Sequence, residues 1–358
     1  MNIDLLRRLC ETPGIPGREE RVRDLIIKEV KGLFDEVKAD RMGNLVCRRA
    51  PRKGGSSKGG KGDEATRVMM ACHMDEIGFY VKHIDDKGLL RLQNAGGFDT
   101  RNLFWRRVTV CTKHGGDLPA VMNPGGRPIH IATEEDKKKI PEVKEFLVDL
   151  GLPASKVKKI VEIGDMVVMN EPFMEIGDKV VSKAMDNRVA CWLGIESVRA
   201  IEKAKTPHSC EIYSVFTVQE EVGLRGAFTA SRAVRPDVGI GLDVTLSCDT
   251  PGVPEDEAVT VQGDGAVLHV MDGSIISDWT LIDEMEACAK KGKIKTQRSI
   301  LARGGQDGAA MQLANDGSCR AAGLTVGTRY IHTVTEMVDK GDLGAARDLL
   351  AAFIPTVA

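Results

Sequence analysis

Residues 187–204, NRVACWLGIESVRAIEKA, followed by EIYSVFTV at 211–218, decide the fold. In the first segment apolar residues recur at helical spacing, over a length that suits a helix rather than a strand, so it reads as a long amphipathic helix. The second is a short run of apolar, β-branched and aromatic residues that reads as a buried strand. The same rhythm continues toward the C-terminus. RGAFTASRAV (225–234) reads as helix, VGIGLDV (238–244) and VLHVM (267–271) as strands, 278–291 and DGAAMQLAN (307–315) as helices, AGLTVGTRY (322–330) as strand and 342–353 as helix. Strands alternating with helices predict an α/β fold: a central mixed sheet flanked by helices on both faces.

The N-terminal part fits the same body. Residues 3–10 and 18–31 read as amphipathic helices separated by the proline-rich turn TPGIPG, and 33–38 and 44–48 as strands. RVMMAC, 67–72, is an apolar strand that runs directly into His73. Between them PRKGGSSKGGKGDEA, 51–65, reads as a surface loop joining adjacent strands, and it lacks the residue order of a phosphate-binding loop. From 79 to 169 the rhythm changes to short alternating segments (FYVKHI, LLRLQ, RVTVC, LPAVM, DMVVM) split by GG, HGGD and NPGG turns, with a helical interruption expected around 133–150. The expected organisation is a discontinuous α/β body, 1–75 plus 165–358, interrupted by an inserted β-barrel-like domain at 76–164.

Composition narrows the function classes. A net charge of -2 gives no basic surface for nucleic acid, and 4 % aromatics leave few stacking platforms for bases or sugars. No apolar run reaches the length of a membrane span. Nine cysteines, an odd number with no CxxC pair, read as buried reduced thiols of a cytoplasmic protein rather than as a disulfide framework or a cysteine zinc site. The N-terminal MNIDLLRRLCETPG lacks the apolar core of a secretory leader and reads as the start of the mature fold.

Imidazole and carboxylate groups gather near strand ends, where open α/β sheets bind ligands. His73 and Asp75 follow MMAC, Glu220 and Glu221 follow YSVFTV, Asp243 follows VGIGL, His332 follows AGLTVGTRYI, and Asp186 precedes the long helix. Each has an ordinary structural reading as well: a satisfied histidine after a strand, a helix N-cap at Asp186–Asn187, a solvated Glu pair. Spacing alone leaves both readings open.

HMDEIGF (73–79), KAMDNR (183–188), VFTVQEEVGLRGA (215–227), GLDV (241–244), SCDTPG (247–252) and TRYIHT (328–333) occur in the order found in the M42 family of metal-dependent aminopeptidases, which the chain resembles over essentially its whole length. That family includes glutamyl aminopeptidases and members once labelled endoglucanases. The resemblance implies two divalent ions per subunit, zinc or cobalt, with manganese as an alternative. One is held by His73, Asp186 and Asp243, the other by Asp186, Glu221 and His332. It implies that Asp75 orients the His73 imidazole and that Glu220 is the general acid/base for a hydroxide bridging the metals. The implied reaction is removal of N-terminal residues from short peptides; the implied assembly is a homo-oligomer, with dodecamers known in the family. Imidazole and carboxylate donors suit such ions, and a histidine ligand usually donates its other N–H to an oxygen acceptor. A two-metal amidohydrolase or deacylase acting on small acyl-amino compounds could use the same donors, and a non-catalytic homologue could keep the fold. A glycosidase needs two free carboxylates flanking a sugar bond, whereas here the carboxylates are mostly committed to metal. The family's DTPG and GG-x-D segments correspond to Asp249–Gly252 and Gly304–Asp307, where Gln306 stands in place of a common threonine; both are expected near the pocket for the substrate's first side chain.

Overall fold

The computed structural model describes residues 1–52, 65–314 and 316–358. The loop expected over 51–65 falls almost wholly outside them.

Four parallel strands form the centre of an 11-stranded sheet: Glu211–Thr217, Arg67–His73, Val238–Leu246 and Arg320–Arg329, in that spatial order. Their sequences are apolar without alternation because both faces are covered, and Arg67–His73 is buried at every position but the first. Antiparallel strands extend the sheet on both sides, Leu45–Arg49 and Glu36–Ala39 on one, Glu336–Asp339, Lys179–Ser182 and Met174–Ile176 on the other. Ala266–Met271 and Thr296–Ile300 pair beside the Arg320–Arg329 strand. The sheet is therefore mixed and flanked by helices, as expected.

The helix Met185–Ala204 departs from the amphipathic expectation. Thirteen of its residues are buried, including every one from Asn187 to Ile195. It lies between the sheet and the helices Ile3–Glu11 and Lys340–Phe353, so there is no solvent face along its first half. Asp186 itself is not helical, with φ -79° and ψ 102°. Asn187 performs the capping, its Oδ1 accepting the Ala190 amide at 3.1 Å. The Asp186 carboxylate is thus released from the capping role that its sequence context suggested.

Six antiparallel strands close into a barrel in the order Gly78–Ile84, Leu90–Ala95, Phe146–Asp149, Gly116–Pro124, Arg106–Thr112, Met166–Met169. The last strand lies beyond the boundary at 164, so the barrel runs through Met169. The helical interruption expected at 133–150 shrinks to Glu134–Lys138 and a single turn at Val143–Glu145, because Pro141 stops the helix and Phe146–Asp149 is needed to close the barrel. The barrel has its own core around Phe79, Val108, Phe146 and Val167.

Candidate metal centre

The ends of the parallel strands deliver the predicted side chains to one cleft. His73 is the last residue of its strand, in register with Thr217 of the neighbour. Asp243 sits three residues before the end of Val238–Leu246, inside the strand rather than at its tip. Beyond Thr217 the chain turns through Gln219, whose φ is +56°, and this left-handed step lets Glu220 and Glu221 both face the cleft. The following helix begins so close to the strand that a Cβ on Gly226 would lie 2.4 Å from the Val218 carbonyl and from Asn44 Oδ1; only glycine fits there.

Two groups of donors share Asp186. His73, Asp186 and Asp243 form one, Asp186, Glu221 and His332 the other; within each, one donor atom per residue lies within 4.8 Å of the rest. Asp186 Oδ1 is 3.3 Å from His73 Nε2 and its Oδ2 is 3.3 Å from His332 Nε2. Asp243 Oδ1 is 3.9 Å from His73 Nε2, and Glu221 Oε2 is 3.6 Å from His332 Nε2. Glu220 belongs to neither group, and its Oε2 approaches His73 Nε2 at 3.7 Å. All six line a cavity of about 740 Å³.

The cleft calls for positive charge. Burial, then the neighbouring carboxylates Asp243, Asp307 and Asp75, drive the Glu220 carboxyl well above its ordinary range, and burial with Asp186 does the same to Glu221. Burial also raises Asp243. Burial alone would lower the histidines, yet the surrounding carboxylates hold His73 well above its usual value and His332 at about 10. Glu221 Oε1 is buried with no hydrogen-bond partner among the described residues. A carboxylate-rich pocket with imidazoles and an orphaned buried oxygen is a fit for hard or borderline divalent cations.

Buried carboxylates below this layer hold the backbone. Asp75 accepts the Glu220 and Glu221 amides, each at 3.0 Å. The His73 imidazole instead takes the Asp75 backbone carbonyl, at 3.0 Å from Nδ1, with the Asp75 carboxylate at 3.7 Å. The Asp75 carboxylate thus stays within ion-pair reach of the imidazole while it holds the two glutamate amides. Glu19 accepts Gln219 N at 3.1 Å, and burial pushes its carboxyl up to about 7. Glu336 accepts the Asp186 and His332 amides at 3.0 and 2.8 Å. Glu76, next to Asp75, receives Lys183 Nζ on both oxygens at 2.8 and 2.7 Å, and Arg188 at 3.4 Å. The cations of KAMDNR therefore lock that motif to HMDEIGF. Sequence reasoning missed Glu19, Glu76 and Glu336; the only hint was an acid beside a turn or motif, which is common on any surface.

The barrel supplies a wall that the sequence did not announce. Gly97, Phe98 and Asp99, from the loop after Leu90–Ala95, line the cavity, and Phe98 stacks on Phe79 with ring centroids 4.4 Å apart. Gly304, Gly305 and Gln306 also line it, as expected of the glycine-rich segment. Asp249–Gly252 does not; Asp249 is turned away to form a two-pronged ion pair with Arg329 at 2.7 and 2.6 Å.

A family model described as M42 glutamyl aminopeptidase matches residues 55–349. A lysyl aminopeptidase of Pyrococcus furiosus is 31 % identical over 359 residues, covering 98 % of this chain and 96 % of its own. An aminopeptidase from the archaeon Desulfurococcus kamchatkensis superposes with a TM-score of 0.90 at 33 % identity, over 99 % of this chain and 94 % of that one. The TET1 peptidase of Pyrococcus horikoshii, which can assemble into a tetrahedron or a large octahedral shell, has a TM-score of 0.84 at 27 % identity over 99 % of each chain.

Proposed function

Since the chain belongs to the M42 glutamyl aminopeptidase family, whose members are hydrolases of peptide bonds, we propose that it removes N-terminal residues from short peptides with a two-ion site in which Glu220 carries the proton. The observation that carries this reading is the pair of donor groups sharing Asp186, with Glu220 beside them but in neither. His73, Asp186 and Asp243 would hold one divalent ion, and Asp186, Glu221 and His332 the other, zinc or cobalt by the donor chemistry. When bound, such ions lower the pKa of water and polarise a carbonyl oxygen.

The chain's own groups do the rest. Glu220 Oε2 takes a proton from the attacking water and returns it to the leaving amine nitrogen, so the carboxylate ends the cycle as it began. Phe98 and the apolar side of the cavity exclude water from the scissile bond. We further infer a homo-oligomer, supported by the assemblies of the TET1 peptidase, and a cytoplasmic location, supported by nine free cysteines. Among the described residues no helix is long and apolar enough to cross a membrane.

The test is Glu220→Gln. Elemental analysis should still find two ions per chain while kcat on aminoacyl-p-nitroanilides falls by about 10²–10⁴. Loss of the ions together with activity would remove Glu220 from the proton-carrying role. Wild-type cleavage confined to N-acyl amino acids would replace the aminopeptidase reading with that of a deacylase.

A further inference from the structure

We propose that Glu336 is a positioning residue that assembles the second donor group by holding the backbone of Asp186 and His332 at a fixed separation; this rests on the two-ion reading above. Glu336 opens the strand Glu336–Asp339, which pairs with Lys179–Ser182, the segment that leads into Asp186. Its side chain is 2 % exposed, and no lysine or arginine pairs with it among the described residues. A buried carboxylate without a cation needs strong donors. It has two, one on each oxygen: Oε2 accepts Asp186 N–H and Oε1 accepts His332 N–H.

The two amides come from irregular backbone, a turn at His332 and the non-helical lead into Met185–Ala204 at Asp186. His332 has φ +62°, the left-handed region that a residue with a Cβ rarely adopts. Asp186 breaks from the helix geometry of the residues that follow it. A single rigid carboxylate tying both together fixes how far apart Asp186 and His332 stand, and hence the 3.3 Å approach of Asp186 Oδ2 to His332 Nε2. Neither His73 nor Asp243 has a hydrogen bond to Glu336 among the described residues, so the first donor group depends on it only through the shared Asp186. Asp75 does the equivalent work for Glu220 and Glu221. The second group is thus shaped by two carboxylates that themselves stand outside it.

The test compares metal-stripped wild-type protein with Glu336→Gln and Glu336→Asp, titrated with Co²⁺ by calorimetry and checked by elemental analysis. Glu336→Gln keeps the shape but turns an NH₂ toward one amide, donor against donor. Glu336→Asp keeps the charge but is one methylene too short to span both amides. In each, uptake of one of the two ions should loosen about 10- to 100-fold, the range seen when groups supporting metal ligands are removed. The other ion should change far less, and the far-ultraviolet dichroism of the stripped protein should be unaltered. Unchanged uptake of both ions, or equal loosening of both, overturns the proposal. A wild-type chain that takes up a single ion strikes at the two-ion reading, and this proposal falls with it.

Discussion

The two donor groups share one aspartate but are built by different means. His73 and Asp243 project from buried parallel strands, with side chains 2 % and 9 % exposed, and the ladder of the sheet sets their spacing. Glu221 and His332 sit on turns beyond the strands, His332 at 35 % exposure, next to left-handed residues at Gln219, Tyr330 and His332 itself. The strand-borne group is rigid because the sheet is rigid. The turn-borne group is rigid only insofar as Asp75, Glu19 and Glu336 make it so.

Asp186 joins the halves, so Asp186→Asn should produce the largest effect. The neutral amide loses a charge that each group uses, and kcat/KM should fall by at least about 10³-fold if the bound ions supply several kcal/mol to the transition state. Elemental analysis should show both ions depleted. Retention of the ion beside His73 would mean that the strand-borne group stands without Asp186, and would break the idea of a shared hinge.

A smaller effect separates the halves directly. Dialysis against chelators of rising strength should leave a plateau at one ion per chain before reaching none. An ion present at 100 times its Kd stabilises by about 2.7 kcal/mol, which for a chain of this size corresponds to roughly 2–4 °C in Tm. Two such steps in differential scanning fluorimetry, matching the two losses of metal, would show that the groups empty separately. A single drop from two ions to none would show that they act as one.

The same division explains what the sequence could reveal. Residues 67–73 and 211–217 are apolar runs ending in polar residues, 238–246 carries Asp243 near its end, and period and composition suffice to place these ends at one edge of a sheet. Five donors plus Glu220 could be put in one cleft on that basis, with the ordered motifs deciding among them. Hydrogen bonds to main-chain amides leave no such trace. Glu336 is one acid in TVTEMVD, and nothing local shows that its oxygens meet amides 150 and 4 residues away. Nor does anything local show that Asp75, placed beside His73 by the motif, also meets the imidazole through its backbone carbonyl and holds two amides through its carboxylate. The segment DMVVM was legible as part of the β-rich stretch ending at 169, and its pairing with Gly78–Ile84 and Arg106–Thr112 carries the barrel past the boundary drawn at 164.

The smallest expected effect concerns how the turn carrying His332 is moored. Arg329 ends the strand from which that turn departs, and its guanidinium grips Asp249 with one N–H on each oxygen. The Arg329 hydrogen bonds hold the Asp249 carboxyl below the ordinary carboxylate range, against the opposing pull of partial burial. A carboxyl whose folded-state pKa is depressed stabilises the fold above its unfolded value, near 3.9, and that contribution fades as pH falls through the depressed value. Asp249→Asn should therefore cost about 1 kcal/mol at pH 7, a modest figure because the pair is partly exposed. The gap between variant and wild-type urea midpoints should narrow as pH is lowered past about 4. A gap independent of pH would assign the loss to packing instead of charge. If the pair moors only the turn, the variant should also keep the ion beside His73 at wild-type affinity, whereas loosening there would mean that strain at Arg329 travels along the strand and that the two halves are less separate than their construction implies.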